Sequence, residues 1–139
     1  MPERDLGRLL ASVNPVLQPG TYVYCTLGPG ERPDTPPLLQ FEEPEGTTVV
    51  VLAEDAQRRG WTAVFPCQWI VLGATSDLEA VGFLAAVVTE LARAGIAANA
   101  VSAFHHDHLF VPAGRVGEAL EVVGALQRQH RAAAGRPDG

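Results

Sequence analysis

Three histidines and a carboxylate stand in a row at His105-His106-Asp107-His108. Imidazole and carboxylate are transition-metal ligands. On a strand, alternate residues share a face, so His106 and His108 could begin a two-ligand site. No Glu or Cys at ligand-like spacing joins them nearby, and no metal or other cofactor is expected. The ordinary reading is a polar turn between two strands, with contact to a small ligand as the alternative. A His-Asp pair could also serve as acid and base. The candidate nucleophiles are Ser102, Ser76, Cys25 and Cys67, and none lies in a Gly-x-Ser-x-Gly elbow. Neighbouring residues on a turn point apart, so adjacency alone makes no dyad, and no enzyme is expected. Gly28-Pro29-Gly30 is not a phosphate loop either: the Gly-Lys-Ser/Thr ending is missing and the prolines remove amide donors.

Thr75-Ser76-Asp77, just before Leu78, is the better site. Ser76-Asp77-Leu78-Glu79 reads as a capping box, with Ser76 accepting from the Glu79 amide and Glu79 reaching back. A helix that starts there offers unpaired amides and partial positive charge. The carboxylate of an amino acid fits that end, and Asp77 could receive its ammonium group. The alternative is that Ser76 caps the helix and binds nothing.

The elements that must position these groups follow from the pattern. Asp5–Val13 is a short amphipathic helix presenting Leu6, Leu9, Leu10 and Val13. Asn14–Gly20 reads as a turn. Thr21–Leu27 is a strand, rich in aromatic and β-branched residues. Gly28–Pro37 is a loop, because no regular element survives its prolines and glycines. Strands are expected at Leu38–Glu42 and Thr47–Leu52, and a helix at Glu54–Arg59 stopped by Gly60. Trp61–Phe65 reads as a strand, broken by Pro66 before another at Cys67–Ala74. A helix from Leu78 runs to Gly95. Ile96–Phe104 and His108–Val111 are the next strands, and a last helix presents Val116, Ala119, Leu120, Val123 and Leu126. Thr47–Gly60 and Leu109–Arg128 each run strand then helix, a faint internal echo. Strands and helices mixed with hairpins predict an α+β sandwich, an antiparallel sheet with helices on one face.

The chain has 139 residues and 47% apolar content, enough for a buried core. Its 16 acidic and 10 basic residues give a net charge of -6. A phosphate-backbone binder or an anionic-membrane binder carries a basic face, so neither nucleic acid nor membrane is an expected partner. The polar start and the lack of a long apolar run predict neither a secretory signal nor a membrane span. Cys25 and Cys67 sit in apolar strand-like runs and read as buried thiols of a cytoplasmic protein. Trp61 and Trp69 read as packing residues. Ala132–Gly139 reads as a disordered tail.

The stretch from Trp69 to Val123 resembles an ACT domain, a small ferredoxin-like βαββαβ module that senses amino acids. The resemblance rests on Thr75-Ser76-Asp77, on Leu78-Glu79-Ala80-Val81-Gly82-Phe83 opening a helix, and on Leu91-Ala92-Arg93-Ala94-Gly95-Ile96. Val101-Ser102-Ala103-Phe104 and the histidine turn continue it. The leader Leu10–Leu17 looks like the start of bacterial paired-ACT proteins. The resemblance implies a tandem ACT-like sandwich, with a reduced N-terminal half at 1–66 and a C-terminal ACT domain at 67–131. It implies a ligand held by Asp77, Leu78, Ala80, Val81 and Gly82 beside Ile96, Asn99 and Val101, with Ser76 at the helix end. Two departures stand out. The C-terminal unit lacks the family's fourth strand, which the first half or a partner chain must supply, and the first half has a Pro-rich loop where the first helix belongs. The expected function is non-catalytic: an amino-acid-binding regulatory protein, a homodimer whose output passes to another chain. The alternatives are a ligand-free interaction module and a small metal-dependent or acid-base enzyme at His105–His108.

Overall fold

The computed structural model describes residues 2–135. The first helix, α1 (Leu6–Ala11), is capped by Asp5, whose side chain accepts from the Arg8 amide at 2.8 Å. Then come β1 (Pro15–Leu17), β2 (Tyr22–Leu27), β3 (Leu39–Glu43) and β4 (Gly46–Leu52). The short helix α2 (Ala53–Arg59) ends on left-handed Gly60 as expected, and β5 (Ala63–Leu72) follows. The second half holds α3 (Phe83–Arg93), β6 (Asn99–Ser102), β7 (Asp107–Pro112), one 3-10 turn at Ala113–Arg115, and α4 (Val116–Ala134). Residues 132–134 are therefore helical rather than tail, and positions 136–139 of the expected tail lie outside the described residues.

The seven strands of the described residues form one antiparallel sheet in the order β3-β4-β2-β5-β7-β6, with β1 also on β5. Two four-strand arrangements of identical order meet on β5. Its beginning pairs with β2 through Tyr22↔Cys67 and Cys25↔Ala63. Its end pairs on one side with β7 and on the other with β1, through Pro15↔Leu72 and Leu17↔Ile70. The strand missing from the C-terminal unit is thus supplied by the leader of the same chain.

Three expectations about these strands need correction. Asn14–Gly20 is not only a turn, because β1 runs through it. Pro15 is tolerated as the first strand residue, where its missing N–H matters least. Pro66 does not divide β5. The register against β2 shifts there by one residue, and Phe65 takes φ 55°, so the proline sits at a bulge. Ile96–Phe104 shrinks to Asn99–Ser102, since Ile96 is bonded through its amide to Leu91 at the end of α3.

Helices cover one face of the sheet. Leu9, Leu10 and Val13 of the leader pack with Ile70, Leu72, Val87, Leu91, Leu109 and Val123 in the main core. A smaller core places Val23, Cys25, Leu27, Val49 and Val51 under Ala56 of α2. Gly73 lets the leader approach: a Cβ there would lie 3.0 Å from the Asn14 carbonyl oxygen. The buried Gln127 side chain of α4 then grips Asn14 twice, Gln127 Nε2 donating to Asn14 Oδ1 at 2.7 Å and the Asn14 backbone N–H donating to Gln127 Oε1 at 3.0 Å. The opposite face carries Tyr22, Tyr24, Val50, Cys67, Trp69, Phe110 and Val101, and among the described residues no helix covers them.

Candidate functional site

The expected capping box does not form. Helix α3 begins at Phe83, and Leu78 opens a turn, not a helix. The Ser76 hydroxyl is drawn away, donating to Asp107 Oδ2 at 2.8 Å, while the Ser102 hydroxyl donates to Asp107 Oδ1 at 2.5 Å. Both oxygens of this 3% exposed carboxylate are thereby satisfied, and the loop before α3 is pinned to the β6–β7 hairpin. The Glu79 amide goes to Asp77 Oδ1 instead, at 2.8 Å. Residues 77–82 are a loop ending on Gly82, whose φ of 91° is natural only for glycine. Gly82 provides no side-chain cap, so the first amides of α3 are left for water or a ligand. A cavity of about 50 Å³ lies beside them, lined by Ser76, Asp77, Leu78, Ala80, Phe83 and Asp107 among others.

Asp77 also has a cationic partner. Glu3 bridges to Ser76 as a parallel neighbour, and the Asp77 amide donates to the Glu3 carbonyl at 2.9 Å. The bridge carries Arg4 over the loop, where it pairs with Asp77 at 2.9 Å and Glu79 at 2.7 Å. The Glu79 amide first, then Arg4, hold the Asp77 carboxyl below its ordinary range.

The residues expected to hold a ligand therefore fall in three places. Ser76, Asp77, Leu78, Ala80, Val81 and Gly82 share the loop, where Leu78 and Val81 are exposed. Ile96 is buried in the main core, on the helix side. Asn99 and Val101 stand on the helix-free face, opposite Phe110 and His108.

The histidine row is also dispersed. His106 faces the Ala74 carbonyl oxygen at 3.5 Å, whereas His108 Nδ1 accepts from the Trp69 indole N–H at 2.9 Å. Burial first, then the neighbouring His106, lowers the His108 pKa, with Asp107 opposing. Among the described residues, no three His, Cys, Asp or Glu side chains gather as metal ligands. Cys25 and Cys67 are both buried and free, and burial pushes the Cys67 thiol up to about 11. Among the described residues, no helix is long and apolar enough to cross a membrane.

Three contributors were invisible to sequence reasoning: Arg4, Asp107 as the anchor of Ser76, and Trp69 as the partner of His108. The alternation His108, Phe110 along a short strand is the one local signal that puts His108 on an apolar face.

Two families match, both described as ACT domain, one over residues 1–68 and the other over residues 64–126. No curated protein matches. A solved structure from Vibrio cholerae, a protein of unknown function described as a possible transport protein, is 39% identical with a TM-score of 0.79. That match covers 88% of this chain and 95% of the other. An Agrobacterium tumefaciens protein is 18% identical with a TM-score of 0.62, over 78% of this chain and 84% of its own. The regulatory subunit of aspartate kinase from Thermus flavus is 13% identical with a TM-score of 0.59, over 81% and 95%. At these two lower identities the likeness is one of fold.

Proposed function

Because the chain belongs to the ACT-domain family, a family of regulatory ligand-binding modules, we propose that it is a non-catalytic regulatory protein that binds an amino acid or a similar zwitterion at the loop 75–82. The observation that carries this reading is the uncapped start of α3 on Gly82 beside Asp77. Open amides there accept a carboxylate, and Asp77 accepts an ammonium group. Arg4 already neutralises Asp77, so a bound ammonium group shares or displaces that pairing. On this reading residues 1–66 form a reduced ACT half and 67–131 a fuller one. The protein works as a cytoplasmic homodimer, and the ligand favours one pairing of subunits over another. Side-by-side pairing would run along β3 or β6, the end strands of the six-strand path.

The test is a thermal-shift screen against the twenty amino acids, followed by calorimetry on any hit. Stabilisation by one of them, abolished in Asp77→Ala, supports the reading. No shift with any amino acid overturns it and leaves the ligand-free interaction module, which the Arg4 pairing with Asp77 and Glu79 favours.

A further inference from the structure

The helix-free face of the sheet holds a cavity of about 140 Å³ that the loop reading does not use. The two halves of the chain build it together: Leu38 and Leu39 come from the first, and Trp69, Val101, His108 and Phe110 from the second. Its walls are apolar apart from one polar pair. The Trp69 indole N–H donates to His108 Nδ1 at 2.9 Å, and Tyr22 braces the Trp69 ring edge-on at 5.9 Å. An imidazole that accepts at Nδ1 is neutral and carries its proton on Nε2. The pairing therefore fixes one tautomer and leaves Nε2–H as the free donor of a side chain that lines the cavity. Among the described residues no lining side chain is charged, so an ionic guest would lose its hydration without compensation.

We propose that this cavity is a binding site for a small uncharged apolar molecule carrying one hydrogen-bond acceptor, such as a carbonyl. The hydrocarbon body fills the space between Leu38, Leu39, Val101 and Phe110, and His108 Nε2–H donates to the acceptor. The site is separate from the loop 75–82, and it bridges the two halves of the chain across the sheet.

The experiment titrates cyclopentanone into the 15N-labelled full chain and follows the indole N–H signals and the His108 ring nitrogens. Trp61 is an internal control, since it packs under α2 with Arg59 4.7 Å above its ring. The expected result is a saturable shift at Trp69 and His108, with Trp61 unmoved. Methylcyclopentane, which lacks the acceptor, binds roughly fivefold more weakly. Val101→Phe fills the cavity and abolishes the shift, and Ala103→Leu at the exposed rim weakens it should Val101→Phe not fold. Asp77→Ala leaves the titration unchanged, so failure of the amino-acid reading and failure of this one are told apart. No saturable shift, parallel movement of Trp61, equal affinity for the two probes, or indifference to both cavity variants overturns the proposal.

Discussion

The first half of the sheet, β3-β4-β2-β5, and the second, β6-β7-β5-β1, repeat one strand order under very different cover. The first half has a single seven-residue helix, α2, and a Pro-rich loop between β2 and β3. The second has α3, α4 and, across its core, the borrowed α1. The comparison teaches where the chemistry can reside. The loop reading calls for a helix after the first strand of the unit, and among the described residues only the second half has one there. The first half contributes differently, by lending β1 to the second and by walling the sheet-face cavity with Leu38 and Leu39.

The largest test of this comparison strikes the strand that both halves use. Leu72→Ala, at a fully buried position of β5, is expected to cost about 2–5 kcal/mol. In urea titrations the signals of Trp61, in the first half, and Trp69, in the second, should be lost at one shared midpoint. Two separate midpoints would show that the halves stand independently. Next is the clasp between the leader and α4. Gln127→Leu strands the polar groups of Asn14, with an expected loss of about 1–3 kcal/mol. Hydrogen exchange should then quicken at the Gly73 amide, which donates to the leader at Val13.

A smaller effect concerns pH. His108 titrates lower in the folded chain than its ordinary value of about 6.5. The unfolded state thus binds more protons as the pH falls through that range, and stability is lost from about pH 6.5 downward. Urea titrations at pH 8 and pH 5 should show the loss, and His108→Gln should reduce it. The smallest effect belongs to the first half. Arg58 pairs with Asp34 at 3.0 Å on an exposed surface and holds the loop to α2. Arg58→Gln should lower the melting temperature only slightly, and less again in high salt, because exposed pairs are weak and screened.

How much was legible in the sequence depended on the distance between causes and effects. β2 and β4 show in their own runs of aromatic and β-branched residues, and α2 in its glycine stop. Two prolines misled, because a proline is a breaker only where its missing N–H is needed. Pro15 begins a strand and Pro66 sits at a bulge, and neither is so placed. The capping-box pattern at Ser76 was locally sound but lost to a stronger partner: Asp107, far along the chain, takes the Ser76 hydroxyl, and α3 begins further on. Trp69 and His108 pair across neighbouring strands, β5 and β7, and nothing local to either residue announces it. Local pattern already pointed to Thr75-Ser76-Asp77, and the family resemblance added the expectation that residues on to Gly82 share a ligand with it.

The closure of the second half by β1 also bears on how the chain is made. Leu9, Leu10 and Val13 are synthesised well before Ala119, Val123 and Leu126 of α4, yet all six share one core. At about 5–20 residues per second, the wait is on the order of ten seconds. Throughout that interval the nascent leader is an apolar segment with no finished sheet to join. Rare codons or a slow ribosome between β5 and α4 would lengthen the exposure, and chaperones that grip short apolar segments would find their target in these first turns.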